Sequence, residues 1–347
     1  MIDDSSIMSR CLQLAQNGNG FVAPNPMVGA VLVYDGKIIG EGFHQAFGEP
    51  HAEVNAINQS IENGNGHLLN KSVLYVNLEP CSHSGKTPPC TELIVEHRIP
   101  KVVFGCKDLF PEVNGRGIKK LREAGIIVET GILEKECMEF NIRFNTFHAK
   151  KRPFIILKYA QTSNHFIAPI QNKNKKISND YTDILVHRWR SEEAAIMVGT
   201  KTAELDNPSL TVRKWKGKNP VRVLIDRKLR LPKSLSLFDG SSSTLVFNEI
   251  RNEIKNNIEF IRIDFNENVI SNLISFLYER KILSLIVEGG RNLLGQFIEN
   301  KLWDEARIIT SDNFFAEGIR SPEIHGKVIS SSNVTGNNIL ILHSDIN

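Results

Sequence analysis

His51, Glu53, Cys81 and Cys90 are residues whose types and spacing could do chemistry together. An imidazole and two thiolates can hold a tetrahedral zinc and leave its fourth position to a water, whose pKa the metal brings close to neutrality. Glu53 follows His51 by two residues at the start of a helical pattern, where it can reach that position without ligating. It could then carry a proton from an attacking water to a leaving amine. Cys81 stands in the turn after the apolar run Val73–Val76. Cys90 directly precedes a helical stretch, Thr91–His97, whose dipole favours the thiolate. Each residue alone fits a buried imidazole, a small apolar thiol or an exposed helix carboxylate. As a set with Pro80 they point to a metal centre. A purely structural zinc would need a fourth protein ligand, for which His83 is the nearest candidate.

The elements that must position these residues alternate as in a layered α/β domain. Met8–Ala15 reads as a short amphipathic helix closed by Asn17-Gly18-Asn19-Gly20, and Val28–Val33 as a strand. Asp35-Gly36 turns that strand into a hairpin returning through Lys37–Gly40. A helix over His51–Ile61, a strand over Val73–Val76 and a helix over Thr91–His97 follow. The strand Val102–Gly105, the helix Gly117–Ala124 and the strand Ile126–Val128 complete a sheet covered by helices. One helix over Glu134–His148 leads into Ala149-Lys150-Lys151-Arg152-Pro153, where charge and proline mark a boundary between domains 1–150 and 151–347.

The second domain repeats the alternation. Strands are expected over 154–157, 195–199, 221–225, 245–247, 260–263, 283–287 and 307–310, with helices over 179–190, 268–280 and 291–300. It lacks G-x-G-x-x-G, so a Rossmann dinucleotide fold is not supported. Val198-Gly199-Thr200 and Val287-Glu288-Gly289-Gly290-Arg291 are instead strand ends whose glycine turns open helices, where backbone N–H groups can receive a pyrophosphate. Gln171–Lys176 and Ser241–Ser243 read as solvated loops.

Composition bounds the function. The chain has 347 residues, 41% hydrophobic and 23% charged, which suits two ordinary globular domains. Lys plus Arg number 42 against 39 Asp plus Glu, a balance of +3 that is too small for a nucleic-acid-coating surface. No apolar run approaches the ~18 residues of a membrane span, and the acidic start shows no secretion signal. Five widely spread cysteines argue against a disulfide framework and for a reducing, cytoplasmic setting.

Three segments carry a resemblance: Pro24-Asn25-Pro26-Met27-Val28-Gly29, His51-Ala52-Glu53, and Glu79-Pro80-Cys81 through Pro88-Pro89-Cys90. The arrangement is that of zinc deaminases, in which the two cysteines usually lie two residues apart. Here eight residues separate them, and with this long insert the chain resembles the bifunctional deaminase–reductases of riboflavin biosynthesis. The resemblance implies a cytidine-deaminase-like three-layer α/β domain followed by a dihydrofolate-reductase-like domain. It implies zinc on His51, Cys81 and Cys90, Glu53 as proton shuttle, and substrate contacts from Asn25, His44, His83 and Lys86. The first activity would remove the pyrimidine 2-amino group of 2,5-diamino-6-ribosylamino-4(3H)-pyrimidinone 5′-phosphate. The second would use NADPH to reduce the ribosyl side chain to ribityl. Lys158, Arg190, Leu210, Arg213 and Glu288 would face that substrate. Ala160, Thr202, Asp206 and the stretch Gly290, Arg291, Asn292, Leu293, Leu294, Gly295 and Gln296 would face NADPH.

The chain departs from the family pattern at three places. Thr162-Ser163-Asn164-His165 stands where Ser-Leu-Asp-Gly is common, Lys176 where a Trp is usual, and Phe110 where Asn is usual. The expected partners are a small phosphorylated pyrimidine and further copies of the chain, with no nucleic acid and no membrane. Two other readings are separable. A nucleic-acid deaminase needs a cationic groove and stacking aromatics, whereas the first domain has no Trp and few clustered cations. A second domain kept only for assembly would not oxidise NADPH.

Overall fold

A computed structural model describes residues 3–82, 88–110, 113–170 and 176–345. The chain divides into two compact units, Met1–Lys150 and Lys151–Asn347. In the first, strands β1 (Gly29–Tyr34), β2 (Lys37–Phe43), β3 (Val73–Leu78), β4 (Lys101–Cys106) and β5 (Ile127–Thr130) form a sheet in the order β2-β1-β3-β4-β5. Its helices are α1 (Asp4–Ala15), α2 (Ala52–Glu62), α3 (Cys90–Glu96), α4 (Arg116–Glu123), α5 (Glu134–Phe140) and α6 (Ile142–Lys150). The two-residue period of the strands sorts the apolar side chains into two cores. Leu32, Leu74, Val76 and Phe104 pack with Ala56, Ile57, Ile94 and Leu121 from α2, α3 and α4. Val31, Tyr75 and Val103 face the other way, onto Met8 and Cys11 of α1 and Cys137 of α5. The result is three layers with the sheet in the middle.

Two details of this unit set up the chemistry. Gly40 and Gly42 let β2 lie directly on α2, because a Cβ at either would come within 2.4 Å of the Ala56 backbone. The single helix expected over Glu134–His148 is instead two helices, α5 and α6, parted at Asn141. The Asn141 side chain turns back to Met27, accepting from its N–H at 2.9 Å and donating to its carbonyl at 2.9 Å.

The second unit holds β6 (Phe154–Thr162), β7 (Phe166–Pro169), β8 (Ala195–Val198), β9 (Val221–Ile225), β10 (Thr244–Asn248) and β11 (Glu253–Lys255). It continues with β12 (Ile258–Arg262), β13 (Ser284–Glu288), β14 (Glu305–Ser311), β15 (Gly318–Arg320), β16 (Lys327–Val334) and β17 (Asn337–His343). Its helices are α7 (Asp180–Glu192), α8 (Thr200–Asp206), α9 (Val269–Glu279) and α10 (Arg291–Glu299). Ten strands make one sheet in the order β11-β12-β10-β9-β8-β13-β6-β14-β17-β16, parallel from β12 to β14 and antiparallel at both edges. Strands β7 and β15 pair separately.

Alternation again decides which residues are available for chemistry. Ile155, Leu157 and Val287 turn to the core under α9 and α10. Lys158 and Glu288, neighbours in register on β6 and β13, therefore turn to the opposite face. The outer hairpin β16–β17 has no counterpart in the sequence reading, since β16 is exposed along almost its whole length and carries no apolar alternation. Ser241–Ser243, expected as a solvated loop, encloses a buried Ser242 whose hydroxyl donates to the Pro220 carbonyl at 3.1 Å.

Candidate active sites

Residue His51 is the N-cap of α2 and Cys90 the first residue of α3, one position earlier than the sequence pattern suggests. Cys81 lies beyond the end of β3. His51 Nδ1 is 3.5 Å from Cys81 Sγ and 3.3 Å from Cys90 Sγ, and all three atoms lie within 4.8 Å of one another. A tetrahedral zinc at its usual bond lengths separates a nitrogen from a sulfur ligand by ~3.6 Å. The donor set and its spacing fit that ion. The Cys81 thiol falls well below its ordinary range because the Cys90 thiol donates to it, with His51 and the Cys90 N–H adding to the effect. Cys90 shifts the opposite way, upward, because it donates to Cys81 and is buried. His51 shifts upward, chiefly through its contact with Cys81.

In the first turn of α2, Glu53 is 3% exposed. Burial pushes its carboxyl upward and the negative Cys81 adds to the shift. A carboxylate so placed takes a proton readily and can give it back. Beside it, the His44 ring meets the His51 ring edge-on, with centroids 5.3 Å apart. His44 Nε2 is 3.0 Å from Asn25 Nδ2 and its Nδ1 is 3.1 Å from the Pro50 carbonyl. Burial shifts His44 downward. A neutral ring with the proton on Nδ1 satisfies both contacts, because the Asn25 amide nitrogen can only donate. His83 and Lys86 lie outside the described residues.

Three polar side chains not assigned a role from sequence hold this site together. Asn77 Oδ1 accepts from the Gly29 N–H at 2.8 Å and its Nδ2 donates to the Met27 carbonyl at 3.1 Å. With Asn141 it clamps the segment that presents Asn25. Glu79 is buried two residues before Cys81, and its carboxylate accepts from the N–H groups of Gly115, Gly117 and Ile118 at 3.0, 3.0 and 3.3 Å. It caps α4 from a distance, since no side chain of α4's own cap does so. Its place in Glu79-Pro80-Cys81 was the only sequence signal. Phe110, one of the departures, donates its N–H to Asp108 at 2.7 Å and stacks its ring 4.9 Å from His148.

The second constellation lies on the α7 side of the ten-stranded sheet. Arg190 from α7 forks onto Glu288, with Nη2 and Nε at 2.8 and 3.3 Å from the two carboxylate oxygens, and Lys158 Nζ stands 3.7 Å from Glu288. Burial alone would raise the Glu288 carboxyl, but the charges of Arg190 and Lys158 outweigh it and bring it down to about 2. Burial in turn lowers Lys158. Leu210 is buried with φ +53°, and the Arg213 N–H donates to His187 Nδ1 at 3.1 Å. The structure thus groups Lys158, Arg190 and Glu288 and ties Arg213 to α7.

Of the residues expected to face a cofactor, the structure joins Thr202 and Gly290. The Gly290 N–H donates to Thr202 Oγ1 at 3.1 Å, joining α8 to the start of α10. The N-cap of α10, Gly290, offers no side-chain bond to the helix's first N–H groups, and the Leu293 N–H turns back to the Gly290 carbonyl at 3.1 Å. A Cβ on Gly289 would meet Leu293 Cδ2 at 2.9 Å. Gly289 thus lets the turn pack closely on Leu293 of α10. Arg291 to Gln296 form the first turns of α10, Asp206 ends α8 with its carboxyl raised by burial, and Ala160 lies in β6. Lys176, in the place usually held by Trp, pairs with Asp180 and Asp183 at 2.7 and 2.6 Å. His165 has φ +65°, so the turn does require the left-handed conformation that glycine adopts freely. It is held by Asn164, whose amide donates to the Phe315 carbonyl at 2.7 Å.

Comparison with known proteins finds matches to both halves of the chain. Residues 1–106 match the cytidine and deoxycytidylate deaminase zinc-binding region, and residues 153–314 the RibD C-terminal domain. The riboflavin biosynthesis protein RibD of Aquifex aeolicus is 36% identical over 337 residues, 95% of this chain and 92% of that protein. That of Bacillus amyloliquefaciens is 38% identical, covering 86% of this chain and 81% of the relative. The crystal structure of a diaminohydroxyphosphoribosylaminopyrimidine deaminase/5-amino-6-(5-phosphoribosylamino)uracil reductase from Thermotoga maritima superposes with a TM-score of 0.90 at 37% identity, covering 98% of each chain. Among the described residues no helix is long and apolar enough to cross a membrane. With a zinc-type donor set in one unit, a Lys–Glu–Arg cluster beside a glycine turn in the other, and relatives matched nearly end to end, the chain belongs to the RibD family of riboflavin-biosynthesis proteins, in which a zinc-binding deaminase domain precedes a reductase domain.

Proposed function

We propose that the first unit removes the 2-amino group of 2,5-diamino-6-ribosylamino-4(3H)-pyrimidinone 5′-phosphate by hydrolysis, and that the second then reduces the ribosyl side chain to ribityl with NADPH. The observation that carries the first half is the convergence of His51, Cys81 and Cys90 within 4.8 Å, with the buried Glu53 two residues after His51 and outside that donor group. Zinc held by these three residues would supply a water of near-neutral pKa. Glu53 would accept one proton of the attacking water and pass it to the ring nitrogen, then accept the remaining hydroxyl proton and pass it to the departing amine, so that ammonia leaves and a carbonyl remains. Asn25, oriented by His44, offers its amide to the pyrimidine edge. His83 and Lys86 in the cysteine insert serve the phosphorylated side chain.

In the second unit Lys158, Arg190, Glu288, Leu210 and Arg213 bind and orient the ring-opened ribosyl chain and its phosphate. Ala160, Thr202, Asp206 and 290–296 hold NADPH, which supplies the hydride for C1′. The test is a coupled assay on the diamino substrate. Without NADPH, ammonia release should stop at the deaminated ribosyl compound. With it, one NADPH is oxidised per ribitylamino product. Ammonia release without any NADPH oxidation would instead support a second unit that serves assembly alone.

A further inference from the structure

The Leu210–Arg213 segment has no regular secondary structure, and its backbone is held away from relaxed conformations. Leu210 has φ +53° in the left-handed region, strained for its residue type, and follows Asn207, the left-handed C-cap of α8 at φ +40°. Such a segment keeps its shape only where surrounding bonds over-determine it. Asn207 Oδ1 accepts from the Ser236 N–H at 2.7 Å, Arg222 Nη1 donates to the Ser209 carbonyl at 3.4 Å, and Asn219 Oδ1 accepts from the Val212 N–H at 2.8 Å. These bonds fix the segment to its own half of the sheet. Toward α7, the Arg213 N–H donates to His187 Nδ1 at 3.1 Å in a part-buried bond, and the exposed Lys214 beside it pairs with Asp183 at 3.1 Å.

His187 and Arg190 are three residues apart on α7 and so share a helix face. From that face Arg190 reaches Glu288, while His187 reaches the Arg213 backbone. We infer that His187 is a positioning residue of the reductase: a neutral imidazole acceptor that sets Arg213 and Leu210 against the Lys158–Glu288–Arg190 cluster. This rests on the reading that Arg213 and Arg190 face the phosphorylated substrate.

The residue type suits the task. His187 is 5% exposed, and Nδ1 must be unprotonated because a backbone N–H can only donate to it. Burial, with Arg190 and Arg213 nearby, pushes the ring down to about 4, which keeps the acceptor at neutral pH. A carboxylate here would compete with Glu288 for Arg190 and neutralise cations that a phosphate requires. A neutral acceptor orients the strap and leaves its charge free.

The bifunctional chain carries its own control. In the full-length, zinc-loaded protein, His187→Leu should raise the reductase KM for the deaminated ribosylamino phosphate up to about tenfold, the upper end of what one lost hydrogen bond contributes. It should change kcat and the KM for NADPH little and leave ammonia release at the wild-type rate. His187→Asn, whose Oδ1 occupies the place of Nδ1, should restore the KM to within about threefold of wild type. Equal losses in the Leu and Asn variants would reduce His187 to packing and overturn the inference, as would an unchanged KM in the Leu variant. If the Leu variant does not fold, His187→Ala with and without added imidazole carries the same comparison, and absence of rescue overturns it. Arg213→Ala separates the two levels. A raised KM there with none in His187→Leu rejects the positioning role alone, whereas an unchanged KM in Arg213→Ala rejects the substrate contact on which it rests.

Discussion

Glu79 Oε1 accepts a hydrogen bond from the Gly117 N–H at 3.0 Å, so a residue two positions before a proposed zinc ligand caps a helix more than thirty residues further along the chain. The capped turn and the Cys81 turn are thereby fixed to each other. Partners that orient a metal ligand from behind are commonly worth 10–100-fold in metal affinity. Glu79→Gln puts an amide N–H₂ against backbone donors that need an acceptor. We expect it to retain zinc about tenfold less well, read by metal content during titration with a chelator. Wild-type zinc retention in this variant would show that the cap does not orient Cys81.

Glu53→Gln keeps shape and burial but removes the group that carries the proton. Deamination should fall by roughly 10²–10⁴, the range for loss of a positioned general acid–base. The same protein, supplied with the deaminated intermediate, should oxidise NADPH at the wild-type rate. Zinc content should not change, since Glu53 is not a ligand in this assignment. Ammonia release at the normal rate would remove Glu53 from the mechanism.

His165 pays for a left-handed backbone at φ +65° that costs a non-glycine residue on the order of 1–2 kcal/mol. His165→Gly relieves this while loosening the unfolded chain, so the net gain should be about 1 kcal/mol or less. Thermal unfolding should show a rise of a few degrees in the second unit. A drop would mean that the imidazole makes contacts worth more than the strain.

Stability should depend on pH through His187. Folded, its ring takes a proton only near pH 4, against an ordinary value of 6.5 in the unfolded chain. Between those values the unfolded state binds more protons, so stability rises with pH across the window. The contribution is complete above about 6.5 and lost as pH falls toward 4. His187→Asn does not titrate there. Its unfolding midpoint should fall less than that of wild type between pH 7 and pH 5, and parallel curves would contradict the shift.

The candidate zinc donors were legible in the sequence because metal chemistry restricts ligand type. His51, Glu53, Cys81 and Cys90 needed only their identities and spacing to suggest the site, and the long Cys–Cys insert separated this family from other deaminases. Alternating strands and helices were legible too, because a two-residue and a 3.6-residue period leave different apolar patterns. The long helix over 134–148 was misread because Asn141 is tolerable inside a helix. Only its bonds to Met27, more than one hundred residues away, decide that the helix breaks there.

What tertiary structure alone decided was the set of neutral and anionic acceptors that hold functional segments in place. Nothing local marks Glu79 as the cap of α4, Asn77 as the clamp on Met27, or His187 as the acceptor for Arg213. Each acts on a backbone N–H or carbonyl, and every residue has those groups, so the partner leaves no trace in its own sequence. Side-chain chemistry can be read along a chain, whereas a backbone partner is chosen by the fold that brings it within 3 Å or so.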